Sequence, residues 1–397
     1  MSDMKKGVFF VLLAIASIPI QLAAKENENL KKAKQTLMCI YKHYAVKGTA
    51  LMRETYPFDE SYKATYLASD DKVAPNPYAY LWPYSGTFSA LNTLYRATGD
   101  KQYKKILAQK TLKGLVEYFD TRRTPPAYAS YINSAPKSDR FYDDNIWLGI
   151  DFTEMYLQTG EQPYLEKAKL IWQFIESGMD NKLGGGIYWC EQKKGGKNTC
   201  SNAPGTVLAL KLFEATKDSA YFRQAKALYD WTQQHLQDTA DCLYYDNIRL
   251  NGRIGKAKFA YNSGQMLQAS ALLYKATQED VYLQEAQRIA AACYAHFFEK
   301  PTGYEGKYRL LKKGNTWFTA VMFRGFAELY AIDRNPLYMD AFRENIDYAW
   351  RQLRNKDGLF ADDWNAAAGK PTKWLLTQSA MVELYARMAL IDKDAND

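Results

Sequence analysis

One aromatic position recurs along the chain at near-constant spacing, and it constrains the fold more than any other feature. Tyr95, Tyr156, Phe213, Tyr274, Tyr330 and Tyr385 follow one another at steps of 61, 57, 61, 56 and 55 residues. The flanks repeat too: Leu94-Tyr95-Arg96-Ala97-Thr98-Gly99-Asp100 matches Met155-Tyr156-Leu157-Gln158-Thr159-Gly160-Glu161, then 212–218 and 273–279, with looser copies at Leu329-Tyr330 and Leu384-Tyr385. Such a period marks one supersecondary unit stacked many times, because a single unit cannot bury its apolar face alone. Each unit reads as helix, tight turn, helix. Gly99 and Gly160 suit the left-handed residue that stops a helix. The second helices are one-sided: Tyr164, Ala168, Ile171 and Ile175 step 4-3-4, as do Tyr282, Ala286, Ile289 and Cys293. The first helices are apolar on more sides, as in Val207-Leu208-Ala209-Leu210. One-sided helices belong outside and all-round apolar helices inside. Five hairpins, one helix before them (about 27–44) and one after (about 375–390) make twelve. The expected fold is all-α, an (α/α)6 barrel whose last inner helix closes on the first. An open solenoid is the alternative; a repeat that stops after six copies favours closure.

The ends and the composition set the setting. Lysines in Met1–Lys6, an apolar run over 7–20 and Gln21-Leu22-Ala23-Ala24 form a secretory signal pattern. The expected division is a signal peptide over 1–24 and one barrel domain over 25–397, exported to the periplasm or the exterior. No later segment is apolar enough to span a bilayer. The 52 basic and 44 acidic residues are dispersed, and no basic run indicates a nucleic-acid partner. Cys190 and Cys200 flank a Gly/Lys-rich stretch, and a disulfide or two thiols are equally open there. The three histidines stand apart from cysteines and acidic clusters, so no metal site is expected. The expected chain is a monomer without a metal or organic cofactor.

Long connectors, at about 120–141, 179–201, 237–261, 299–315 and 356–373, all carry the chain from an outer to an inner helix and so share one barrel end. Long loops on a rigid scaffold commonly carry function. Inner helices start there with Tyr84-Ser85-Gly86, Asp143-Asp144-Asn145, Ser201-Asn202-Ala203, Tyr261-Asn262-Ser263 and Thr377-Gln378-Ser379. Helix capping accounts for Ser85 and Ser379. One Asp suffices for a cap; a second beside it, between Phe141-Tyr142 and Trp147, brings two carboxylates together in a partly dry setting. Repulsion and burial raise a carboxyl pKa there, which splits such a pair into an acid and a base. Asp70-Asp71 and Asp362-Asp363 read as solvated loops, although Asp363-Trp364 falls on the functional end. The 31 Tyr, 9 Trp and 18 Phe suit sugar faces and cores alike.

Phe141-Tyr142-Asp143-Asp144-Asn145-Ile146-Trp147 resembles the aspartate-pair motif of glycoside hydrolase family 76, the endo-α-1,6-mannanases. Gly184-Gly185-Gly186-Ile187-Tyr188-Trp189, Lys197-Asn198, Ser201-Asn202-Ala203 and Tyr261-Asn262-Ser263-Gly264 resemble further family motifs, in the family's order. The resemblance runs from about Trp82 to the C-terminus. It implies a retaining mechanism on α-mannan, with Asp143 as nucleophile and Asp144 as general acid/base; this needs the carboxyl groups roughly 5–5.5 Å apart. It implies Tyr84, Asn145, Trp189, Asn198, Asn202, Tyr245, Asp246, Tyr261, Asn262, Arg324 and Trp364 as substrate-binding residues, with Asp246 equally readable as a turn residue. Ile146 stands where the family has a small residue, Ser263 where Gln is frequent, and Lys312-Lys313-Gly314 matches only loosely. An acidic-glycan hydrolase of the same shape, a glycan-binding protein without turnover and a repeat scaffold for a protein partner remain open.

Overall fold

The computed structural model describes residues 27–68, 77–364 and 372–394, so the expected signal peptide and the Asp70-Asp71 pair lie outside the described residues. In chain order, outer and inner helices alternate: α1 (Glu28–Tyr44), α2 (Leu81–Thr98), α3 (101–118), α4 (Tyr142–Thr159), α5 (Gln162–Glu176), α6 (Thr199–Thr216), α7 (Ser219–Leu236), α8 (Ala260–Thr277), α9 (Asp280–Phe297), α10 (Thr316–Asp333), α11 (Pro336–Gln352) and α12 (Leu375–Asp394). The six even-numbered helices pack each on the next, and α12 packs on α2. The ring is therefore closed, an (α/α)6 barrel rather than a solenoid. Outer helix α1 lies on α12, and Thr55 and Tyr56 pair antiparallel with Trp374 and Lys373. The seam thus joins the earliest described segment to the last inner helix. Helix α3 is the irregular member, widening to a π-helix over Leu107–Leu112.

The recurrent aromatic marks where inner helices stop. The carbonyls of Tyr95, Tyr156, Phe213, Tyr274 and Tyr330 accept the N–H of Gly99, Gly160, Lys217, Gln278 and Arg334. All five cap residues are left-handed, with φ between 54° and 70°. Glycine does this without a Cβ penalty, whereas the other three pay it. Asp100, Asp218 and Asn335 then cap the next outer helix through their side chains. Each hairpin turn is therefore short, and the long connectors are left to the opposite end, as the sequence predicts.

Trp147 projects toward the centre of the ring. Beneath it the lumen is polar. Arg324 lies 5.7 Å from the Trp147 ring centroid and is paired through Nε and Nη2 with Glu383, at 2.7 and 2.8 Å. Arg387 also donates to Glu383, Lys211 pairs with Glu154 at 2.9 Å, and Ser89 and Asn92 donate to Asp151. Buried charge is tolerable only when paired and hydrogen-bonded.

Candidate active site

The second residue of five inner helices, Trp82, Asp143, Cys200, Tyr261 and Trp317, reaches a cleft of about 570 Å³ at the connector end. Asp144 and Phe318, the third residues of α4 and α10, join them. Trp147, one turn below Asp143, meets Trp317 edge-on at 5.0 Å and forms the floor. The walls are aromatic, which suits the apolar faces of sugar rings. The connectors add Tyr66, Phe141, Trp189 and Phe259, with Asn198, Asp246, Asn247 and Arg249 as polar groups.

The two adjacent carboxyls have unequal surroundings. Asp143 accepts from the Trp189 indole N–H at 3.1 Å and from the Asp144 backbone N–H at 3.0 Å. The Cys200 thiol also donates to it, and the Tyr261 hydroxyl in turn donates to Cys200. Burial pushes the Asp143 carboxyl up to about 7, and these donors oppose a further rise. Asp144 is buried, and its carboxyl has no hydrogen-bond partner among the described residues. Burial, then the Asp143 charge, hold it well above the ordinary carboxylate range. The pair therefore carries one proton over a range of pH, on Asp144, with the negative charge on Asp143. Both sit in the first turn of α4, where the helix dipole favours that charge.

Neighbouring segments are built to aim these groups. Gly184, Gly185 and Gly186 have φ of 75°, 138° and 81°, and a Cβ on Gly186 would stand 2.8 Å from the Trp231 ring. Only glycine lets the loop lie this close and turn Trp189 toward Asp143. Buried Lys197 holds that loop, donating to Asp180 Oδ1 at 2.8 Å and to the carbonyls of Lys182 and Gly185. On the strand Tyr245–Arg249 a register shift between Tyr245 and Asn247 presents Asp246 and Asn247 together to the cleft. Asn247 donates to Asp246 at 2.6 Å, and burial raises the Asp246 carboxyl. On the other side, buried Glu54 accepts from Tyr66 Oη at 2.6 Å, from Trp374 Nε1 at 3.0 Å and from the Tyr80 backbone N–H at 3.0 Å. Tyr66 and Trp374 both pack edge-on against Trp82, so this one carboxyl fixes an aromatic wall.

Of the residues read from the sequence, Asp143, Asp144, Trp189, Asn198, Asp246 and Tyr261 line the cleft. Tyr84, Asn145, Asn202, Tyr245, Asn262, Arg324 and Trp364 lie outside its lining. Asn145, the fourth residue of α4, exchanges hydrogen bonds with the backbone N–H and C=O of Tyr128, both at 2.9 Å. Asn202, fourth in α6, does the same to Ile187 at 2.7 and 2.9 Å, and Gln378, fourth in α12, to Phe360 at 2.8 and 3.0 Å. Tyr84, fourth in α2, is fully buried and donates to Ala50 O at 2.7 Å. The fourth position thus clamps connectors, satisfying backbone groups that would otherwise be orphaned. Asn262 is fully buried, with neither amide atom partnered among the described residues. Arg324 lies under the floor, Trp364 is core, and Tyr245 sits outside the cleft with Lys258 over its ring.

Reading the sequence missed Trp82, Trp317, Phe318, Cys200 and Arg249. A signal existed for three of these: Trp82, Cys200 and Trp317, like Asp143 and Tyr261, stand thirteen residues before a repeat aromatic. All five cysteines are free thiols, so Cys190 and Cys200 do not cross-link their loop. Among the described residues no group of His, Cys, Asp and Glu is arranged to hold a metal, and no helix is long and apolar enough to cross a membrane.

A closed helical barrel with a carboxyl pair in an aromatic cleft is the architecture of a glycoside hydrolase. The chain belongs to glycosyl hydrolase family 76, whose model matches residues 43–396. It resembles the family 76 mannosidase Bt3792 of Bacteroides thetaiotaomicron at 32% identity and a TM-score of 0.84, over 93% of this chain and 100% of that one. It resembles an inactive variant of the α-1,6-mannanase GH76A of Salegentibacter sp. HEL1_6, in complex with α-1,6-mannotriose, at 25% identity and a TM-score of 0.74, over 91% and 99%. In sequence it is 23% identical over 265 residues to a putative mannan endo-1,6-alpha-mannosidase of Schizosaccharomyces pombe; that stretch covers 64% of this chain and 58% of the relative.

Proposed function

We propose that this chain is an exported retaining glycosidase that cleaves α-1,6-mannosidic bonds within a mannan backbone. The observation that carries this reading is the asymmetry of the Asp143-Asp144 pair, one carboxyl supplied with hydrogen-bond donors and the other buried without them. Asp143 attacks the anomeric carbon as the bond to the leaving O6 breaks, while Asp144 passes its proton to that oxygen. Asp144 then takes a proton from water, which attacks the anomeric carbon and frees Asp143. Trp189, Tyr261, Asn198 and Asp246 hold the sugars, and the aromatic walls exclude water from the covalent intermediate. Support also comes from the Salegentibacter relative, whose mannotriose-bound variant is inactive with two successive aspartates replaced. Residues 1–24 direct export and are removed, and residues 25–397 act as a single-domain monomer without cofactor.

The test is to incubate the mature protein with debranched, linear α-1,6-mannan and size the products, with Asp143→Asn and Asp144→Asn alongside. Short α-1,6-manno-oligosaccharides are expected from the wild type alone. No release by the wild type, from a batch that a control mannanase digests, would remove the substrate assignment.

A further inference from the structure

We infer that the outer end of the cleft, at Arg249, is a subsite for a mannan residue carrying a phosphate ester; this rests on the mannanase reading above. Arg249 ends the strand that supplies Asp246 and Asn247, and it faces the cleft while Ile248 between them is buried. It is exposed, and its guanidinium has no hydrogen-bond, ion-pair or ring partner among the described residues. That sets it apart from Arg140, Arg288, Arg324 and Arg343, each of which is paired with a carboxylate.

The space beside Arg249 is kept open by backbone. Its cross-strand partner is Gly196, where a Cβ would stand 2.9 Å from Ile248 O and 3.3 Å from Arg249 Cα. Gly195 precedes it, and both glycines line the cleft. No side chain can grow from Gly196 without moving the strand, so nothing on the facing strand competes for the guanidinium.

Among the described residues, further basic side chains stand on the adjoining segments. Arg253 and Lys256, on the same hairpin, are exposed and unpaired among the described residues. On the facing segment Lys193 donates to the Ala68 carbonyl, and Lys194 donates to the Ser177 carbonyl and lies over the Tyr188 ring; neither is paired with a carboxylate among the described residues. Of the described acids in this region, Glu191 is tied to Arg140, and burial shifts the Asp246 carboxyl toward its neutral form. A neutral mannan gains nothing from these basic groups. A phosphate monoester carries about −1.5 to −2 charges and three acceptor oxygens at neutral pH. The planar guanidinium fork matches that geometry in two parallel hydrogen bonds.

The experiment compares an α-1,6-manno-oligosaccharide with the same chain bearing one phosphate monoester and with one bearing a carboxymethyl group. kcat/KM is measured at low and high NaCl for the wild type, Arg249→Ala and Arg249→Lys. The wild type should prefer the phosphorylated chain about tenfold at low salt, falling below about threefold at high salt as the field is screened. In Arg249→Ala the ratio should fall to about one, and Arg249→Lys should keep part of it, as a point charge without the fork. Equal losses on both chains in Arg249→Ala would mean that Arg249 grips sugar hydroxyls, and would overturn the proposal. An equal preference for the carboxymethyl chain would overturn the phosphate assignment. Calorimetric titration of Asp144→Asn, with and without Arg249→Ala, against the same chains reads the binding ratio without turnover. It therefore decides the matter even if the wild type cuts no mannan, an outcome that would count against the mannanase reading alone.

Discussion

Trp189→Phe is the sharpest probe of how the carboxyl pair is divided. It keeps a ring in contact with Phe141, whose centroid lies 4.9 Å from that of Trp189, and deletes the N–H that reaches Asp143 Oδ2 at 3.1 Å. A hydrogen bond to a charged group contributes roughly 1.5–3 kcal/mol. Asp143 keeps two other donors and Trp189 is half-buried, so the low end applies, ~1.5 kcal/mol, or about one pKa unit. The donor favours the ionised form, so its loss raises the Asp143 pKa further. The acid limb of kcat/KM against pH, measured on α-1,6-manno-oligosaccharides, should move up by about one unit, and the rate on that limb should fall about tenfold. Above the limb Asp143 is ionised in both proteins and the rates should converge. If Trp189 serves only as a platform for sugar, the loss will be the same at every pH and the limb will stay in place. That result would refute the division of charge argued here.

Three further outcomes follow from the same geometry. Asp144 has a folded pKa raised above its unfolded one, so its contribution to stability is complete below the ordinary carboxylate range and is lost as pH rises through the folded pKa. Asp144→Asn should therefore abolish turnover yet melt about 1–3 °C above the wild type at alkaline pH, with the gap closing toward pH 4; a gap independent of pH would contradict the assignment. Asn145→Ala removes the clamp on Tyr128 and should cost about 2–4 kcal/mol in denaturant unfolding, with KM for mannan near wild type at a temperature where the variant is folded; a selective rise in KM would restore Asn145 as a sugar ligand. Arg324→Met leaves Glu383 buried with Arg387 as its remaining partner, and the expected loss is about 3 kcal/mol, the low end for a broken buried pair. An unchanged unfolding midpoint would show that the polar lumen is hydrated.

The ring and the pair were legible because each rests on a local rule repeated in the sequence. Tyr95, Tyr156 and their copies mark helix ends whose carbonyls meet a left-handed cap, and Gly99 and Gly160 announce two of these caps. Lys217, Gln278 and Arg334 do the same work without glycine, so only spacing gives them away. The site was half legible for a geometric reason. Along a helix each step turns the side chain by about 100°, so Asp143 and Asp144 face the cleft while Asn145 faces the Tyr128 backbone. Polar type alone does not separate those directions; counting from the repeat aromatic does. Aromatics supplied by the connectors have no such register: Tyr66 is held at the cleft through Glu54 and Trp374, which are 320 residues apart. Trp364 illustrates the reverse, an aromatic on the functional end that pairs with Gly314 and turns inward to the core.

The seam has a consequence for the order in which the protein is made. Strand pairing between Thr55 and Trp374, the packing of α1 on α12 and the Glu54 hydrogen bonds all join the earliest described segment to the last inner helix. A chain emerging N-terminus first already has its carboxyl pair while one wall of the cleft lacks Trp374. Each earlier inner helix can settle against its predecessor, but the ring gains its final neighbour only when residues near 374 arrive. The cleft is therefore completed only when the last inner helix arrives, and a nascent chain stalled after α11 would hold both aspartates in an open arc rather than in a finished cleft.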